Sequence, residues 1–258
     1  MVQAPALSRR DRVRAATTQE ILQTARRLLV EEGPAAISLR AIAREMGMTA
    51  PALYRYFGSH EELIQGVVGN IFGDLAEHVK AAIHAAAESA GDQLTEPELM
   101  ALKLMAGCRE FRTWAIEHVP EFGMVFGNRL PGMDIELLHA DHGDQCGFRF
   151  GQVFLDLFGE LYRKRPFPIP DDAQIVPALR SQLARYRELS GSDLPLGALQ
   201  TFLQCWVLLY GSVGLEVSGH LRFALDDAAP MFELMMSAVA EMVGLQYPVG
   251  GAISAQVK

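Results

Sequence analysis

Apolar residues recur at helical spacing along most of this chain, with polar residues between them. In "TTQEILQTARRLLVEEG" the stripe is Ile21, Leu22, Ala25, Leu28 and Leu29, one face of an amphipathic helix. Thr17 and Glu20 have capping-box spacing, and Gly33 is a stop signal. "SLRAIAREMG" predicts a short second helix, with Ser38 as N-cap, Leu39, Ile42 and Met46 facing inward, and Gly47 at its end. Thr49 is expected to cap a third helix that holds Pro51 in its first turn. Ser59 and Glu62 form another capping box, opening a long helix from about His60 to the Ala-rich run near Ala87.

The remainder reads the same way. Thr95, Pro97 and Glu98 start a helix that runs to about Glu117, and "PEFGMVFG" is a short helical turn. "GFRFGQVFLDLFGELYRKR" is a strongly aromatic helix, and the proline-rich "RPFPIPDDAQIVP" connects it to a helix over residues 178–189. "LGALQTFLQCWVLLYGSVGLEVSGHL" and "APMFELMMSAVAEMVGL" are two more, both highly apolar. No strand pair and no repeat interrupts the pattern, so the expected fold is all-α.

Composition adds size and compartment. With 258 residues, half of them hydrophobic, the chain can build one large or two modest cores. Three scattered cysteines (Cys108, Cys146, Cys205) make no disulfide framework, which points to a reducing cytosol. The N-terminus lacks the apolar core of a signal peptide, and no apolar run reads as a membrane span. Charge changes the picture more. Residues 1–60 hold nine Arg and no Lys against five acids, a net of +4, which leaves −12 for the rest of a chain whose total is −8. A basic head on an acidic body allows local phosphate binding by an acidic protein. The expected division is a flexible basic arm over residues 1–16, a DNA-binding domain over 17–62, a ligand-binding and dimerisation domain over 63–246, and a disordered tail over 247–258.

The two short helices flanking Gly47 form a helix-turn-helix pattern, whose second helix enters the major groove of duplex DNA. Ala50, Pro51 and Ala52 are small enough for close approach to bases, while Leu53 and Phe57 hold the helix to its neighbour. In order and spacing, residues 17 to 68, with "ISLRAIAREMGMTAPALYRYFGSHEELI" at their centre, resemble the DNA-binding domain of the tetracycline-repressor (TetR) family of bacterial regulators. That resemblance implies an all-helical homodimer that binds an operator in double-stranded DNA and is released by a small-molecule effector. Carried over by position, Arg40 and Thr49, Ala50, Pro51 and Ala52 face bases, with Arg40 reading either a base or a phosphate. Tyr54 and Tyr56 meet the DNA backbone, with Arg55 as a further donor and Arg44 as an additional candidate. His60 stands where family members commonly carry lysine, so its phosphate contact is expected to be weaker and pH-sensitive. Arg9, Arg10, Arg12 and Arg14 are within reach of a minor groove or phosphates, but the expected reading is a flexible, disordered arm.

The C-terminal half partly resembles a TetR subgroup of soil bacteria, in "TWAIEHVPEFGMVFG" and "WVLLYGSVGLEVSGHL"; that subgroup often has histidine where Tyr210 stands. Aromatic residues and scattered polar ones nominate an effector pocket: Phe111, Trp114, His118, Phe122, Gln152, Phe154, Phe158, Gln204, Trp206 and Tyr210. Arg112 and Glu216 are further polar residues in apolar surroundings, and Glu216 and His220 have the spacing to pair with each other. Leu199, Phe202, Trp206, Val213 and Val217 form one seam, and Met231, Leu234, Met235, Ala238 and Met242 another. Two such helices per subunit can make an intersubunit four-helix bundle. The loop holding His139, Asp141, His142, Asp144 and Cys146 has ligand-type side chains without metal-site spacing, so no metal or cofactor is expected. No P-loop and no G-x-S-x-G is present. An enzyme that uses the helical pocket, and an architectural DNA binder without effector, are the alternative readings.

Overall fold

The structure, a computed structural model, describes residues 8–91, 94–127 and 143–246; the side chains of 143–146 are left aside. Among these residues ten α-helices form and no strand. The first seven are α1 (Arg9–Glu32), α2 (Leu39–Glu45), α3 (Ala50–Leu53), α4 (His60–Ala90), α5 (Glu96–Glu117), α6 (Val119–Phe126) and α7 (Gly143–Lys164). They are followed by α8 (Pro177–Ser190), α9 (Leu196–Val217) and α10 (Ala229–Met242). The metal-type loop and residues 247–258 lie outside the described residues.

The chain divides into two compact units. The first holds residues 1–74 and 118–148, and the second 75–117 and 149–258. The division falls inside α4 and α7 rather than in a linker. It also assigns α6 to the first unit, a long-range grouping that a reading by sequence order does not anticipate.

In the first unit α1 begins at Arg9, so residues 9–16 are helix and not a flexible arm. The reason is local. Ser8 caps the helix by accepting from the Asp11 amide, and no Gly or Pro follows before Gly33. Thr17 and Glu20 therefore sit mid-helix and cap nothing. Ser38 does cap α2, through the Ala41 amide. Thr49 precedes α3 but its side chain makes no capping bond. At the start of α4, Ser59 Oγ accepts from the Glu62 amide while Glu62 reaches back to the Gly58 amide, a box offset by one residue. The core of this unit gathers Ile21, Leu22, Leu29, Ile42, Leu53 and Leu63, all buried. Arg26 ties α1 to Asn70 and Asp74 of α4 and to buried Glu121 of α6.

In the second unit α9 is the central rod, packed on α5, α8 and α10. It is long and apolar enough to cross a membrane by length and composition, which the sequence reading did not credit. Half of its most apolar window is buried within the protein, as befits a core helix. At the expected start of α5, Glu98 accepts from the Thr95 amide and hydroxyl.

Candidate nucleic-acid interface and effector pocket

The turn between α2 and α3 requires Gly47, which adopts a left-handed φ of 64°. Ile42 and Leu53 are fully buried and Leu39 and Phe57 nearly so, which fixes both short helices to the unit's core. Gly66 on α4 makes room for this packing, because a Cβ there would lie 2.8 Å from the Phe57 ring. With its inner face anchored, α3 presents Thr49 and Pro51 to the exterior, with Ala50 and Ala52 partly covered. Arg40, Arg44, Tyr54, Arg55 and His60 are exposed, and Tyr56 is half-buried. All ten sequence-nominated residues thus belong to one unit, with no large apolar side chain at the start of α3.

Two contacts were not foreseen. Arg14 on α1 donates to the Arg55 carbonyl at 3.0 Å, and its guanidinium lies over the Tyr56 ring at 5.3 Å. The hydrogen bond spans 41 residues, beyond any local sequence signal. His60 Nε2–H donates to the Ile37 carbonyl at 2.9 Å. That bond orients the ring, and only a protonated ring can donate from Nδ1 to an outside group.

The structure separates the ten nominated pocket residues. Phe111, Phe154 and Trp206 do converge, joined by Phe150, with ring centroids 5.6 to 6.5 Å apart. Tyr210 stacks on Trp206, and burial raises the pKa of its phenol. Phe158 packs against Phe167 and Phe202. Trp114 is buried on α5. His118 and Phe122 belong instead to the first unit, where Phe122 packs on Phe126. Gln152 spends its amide on Asp156 of its own helix. Gln204 lines an open groove between α8, α9 and α10, with Leu179, Leu183, Val207 and Met242.

The aromatic cluster is close-packed. The cavity beside it holds about 30 Å³ and is lined by Leu104, Cys108, Phe158, Cys205, Trp206 and Val239 among others. That is about one-tenth of the smallest ordinary ligand pockets. Burial pushes both cysteine thiols up to about 12, so they stay protonated. The open groove encloses about 440 Å³.

The polar residues of this half are structural. Arg112 binds Glu216 through two hydrogen bonds of 2.7 and 2.6 Å, which ties α5 to α9, and lies over Phe232 of α10. Arg109 binds Glu233 through two hydrogen bonds of 2.9 and 2.8 Å, which ties α5 to α10. Glu216 therefore pairs across helices and not with His220. Among the described residues no three His, Cys, Asp or Glu side chains gather into a metal-holding group.

The seams need a similar correction. Leu199, Phe202 and Val213 are buried within this chain, and Trp206 belongs to the aromatic cluster. The apolar face left outside on α9 carries Leu203, Val207, Gly211 and Leu215, with Val207 66% exposed. On α10 Leu234 is 57% exposed beside half-buried Met235 and Ala238.

Comparison with known proteins supplies the family. Residues 21–67 match the family model of bacterial regulatory proteins of the tetR family. Residues 104–239 match the model of the tetracyclin repressor-like C-terminal domain. HTH-type transcriptional regulator Rv1816 of Mycobacterium tuberculosis is 27% identical over 249 residues, covering 93% of this chain and 100% of that protein. Among solved structures, the putative regulatory protein SCO4313 superposes with a TM-score of 0.64 at 25% identity, covering 91% of this chain and 100% of that one. A protein of unknown function from Rhodococcus sp. RHA1 shares the fold, with a TM-score of 0.55 at 18% identity over 88% of this chain and 94% of that one. The two family models, one over the helix-turn-helix and one over more than half of the chain, place this protein in the TetR family of bacterial DNA-binding transcriptional regulators.

Proposed function

We propose that this regulator is a cytoplasmic homodimeric repressor that reads a pseudo-palindromic operator through α3. The carrying observation is the exposed start of α3, where Thr49 and Pro51 face outward beside Arg40 and Arg44 while Leu53 anchors the helix from within. Thr49, Ala50, Pro51 and Ala52 lie against base edges, and Tyr54, Arg55, Tyr56 and His60 hold phosphates. Arg44 supports the same backbone, and Arg40 reads guanine. Tyr56→Phe removes one hydroxyl and keeps the ring under Arg14. It is expected to weaken binding by the same factor on operator and on scrambled DNA, as a phosphate contact should. A titration in which only the operator loses affinity would assign Tyr56 to base reading instead.

The exposed faces of α9 and α10 supply the subunit interface, because α9 is already saturated with helix neighbours on its other side. Val207→Glu is expected to give monomers by sedimentation at concentrations where the wild type is dimeric. Dimers of unchanged mass would move the interface elsewhere. The effector is a small, mostly apolar molecule that enters the aromatic cluster, and since the cavity there is nearly closed, binding must spread α5, α7 and α9. Effector and operator then antagonise each other by the same factor, typically a coupling of about 1–3 kcal/mol. The pocket binds rather than catalyses, in keeping with relatives named as transcriptional regulators.

A further inference from the structure

A second basic feature lies beside the recognition helix. The first turns of α1 and the residues just after α3 enclose a cleft of about 560 Å³, lined by Arg9, Arg10, Val13, Arg14, Arg55 and Tyr56. Four of the six lining residues are arginines and none is acidic. The other charged residues of these turns, Asp11 and Arg12, do not line it, and Asp11 is held by the Ser8 hydroxyl.

The arginines are not equivalent. Arg14 is built into the fold by its bond to the Arg55 carbonyl and its position over Tyr56. Arg9 and Arg10 are exposed and make no ion pair among the described residues. Arg26 and Arg27, farther along the same helix, are both neutralised by acids. Helix α1 thus pairs the arginines of its later turns and leaves those of its first turn unpaired, around a cleft shared with the residues that follow α3. A concave, all-positive surface of guanidinium groups suits the repeated anions of a nucleic-acid backbone, which guanidinium binds in bidentate fashion.

We propose that this cleft is a phosphate clamp: Arg9 and Arg10 hold the DNA backbone alongside the groove that α3 enters, and Arg14 acts as a positioning residue that locks the clamp to α3. The inference rests on the DNA-binding reading and extends it to residues that read no base. The clamp adds affinity on every sequence and specificity on none.

The test uses the full-length protein, an operator selected by the wild type from random-sequence DNA, and a scrambled duplex of equal length. Arg9→Gln with Arg10→Gln keeps good helix formers and removes both charges. Binding is expected to weaken on both duplexes by the same factor, with the salt slope falling by about 1.8 per bound protomer at about 0.9 per lost phosphate contact. Between 50 and 200 mM salt the affinity ratio to wild type would then change about twelvefold per protomer. Arg9→Lys with Arg10→Lys should restore most of the slope. An unchanged slope, or a loss confined to the operator, would overturn the clamp while leaving DNA binding by α3 intact. A wild type that bound neither duplex would overturn the DNA-binding reading and the clamp with it.

Discussion

The arginines around α3 and the two that bridge the helices of the second unit are used in opposite ways. In the second unit Arg109 and Arg112 are each gripped by a carboxylate through two hydrogen bonds, and together they join α5 to α9 and α10. Bonding to Glu233 raises the pKa of the Arg109 guanidinium further. In the first unit Arg40, Arg44, Arg9 and Arg10 stand exposed with no ion pair among the described residues. A paired, half-buried guanidinium holds helices together, and its loss strands a charge. An exposed, unpaired one contributes little to folding and remains available to an outside anion. Charge state alone does not separate these uses; the partners do.

The largest effect on that contrast should come from the core beside the paired arginines. Phe154→Ala removes a ring that touches Phe111, Phe150 and Trp206. It is expected to lower stability by about 3–5 kcal/mol in denaturant titration. A loss under about 1 kcal/mol would mean that the cluster is loosely packed and already open to a ligand. Next comes Arg112→Ala. The pair it breaks is mostly but not fully buried, with side chains 20% and 16% exposed, so a cost of about 2–3 kcal/mol is expected. Arg112→Met combined with Glu216→Leu should recover most of that loss, since no charge is left stranded. A double variant as unstable as the single one would show that the pair matters for more than mutual neutralisation.

Arg40→Ala should do the reverse. Its effect on stability should stay within about 0.5 kcal/mol. If Arg40 reads guanine, operator affinity should fall by about 1–3 kcal/mol and preference should relax at one base pair per half-site. Destabilisation comparable with Arg112→Ala would erase the contrast between the units.

The smallest effect concerns the buried thiols. Burial raises Cys108 and Cys205 from 9.0 to about 12. The folded state therefore holds these protons more tightly than the unfolded chain does. Their contribution to stability is complete below about pH 9 and is lost as pH rises towards 12. Replacing both by Ala should flatten the decline in Tm across that window relative to wild type, and an equal decline would place the alkaline sensitivity on other groups.

How much of this was legible follows from range. Helices α2 to α6 could be read from apolar stripes and, at α2 and α4, from caps, because those signals act over three or four residues. The exposure of the nominated DNA-contact residues could be anticipated because the apolar positions that anchor them, Leu39, Ile42, Leu53 and Phe57, are spaced locally along α2, α3 and the turn after them. The pocket set was only partly legible. Phe111, Phe154 and Trp206 meet as expected, but apolar spacing could not distinguish them from Phe122, which packs with Phe126 in the other unit. The α9 seam went wrong for a related reason. A helix apolar on most faces gives no sign of which face the rest of its chain covers, and Val213 is fully buried while Val207 remains outside. The start of α1 is set by the Ser8 cap and by the helix propensity of arginine, which the charge of that run does not reveal. What holds that turn against the residues after α3, Arg14 on Tyr56, lies far away in sequence.

The central claim is that α3 reads DNA as one half of a two-fold pair. Its most direct test is selection of binding sites from random-sequence duplex by the wild-type protein, with Val207→Glu run in parallel. The account predicts a pseudo-palindromic consensus whose half-sites lie about one helical turn, or a multiple of one, apart. Val207→Glu should enrich the same half-site singly and weakly. Enrichment of no sequence, or of a consensus without two-fold symmetry by a dimeric wild type, would contradict it.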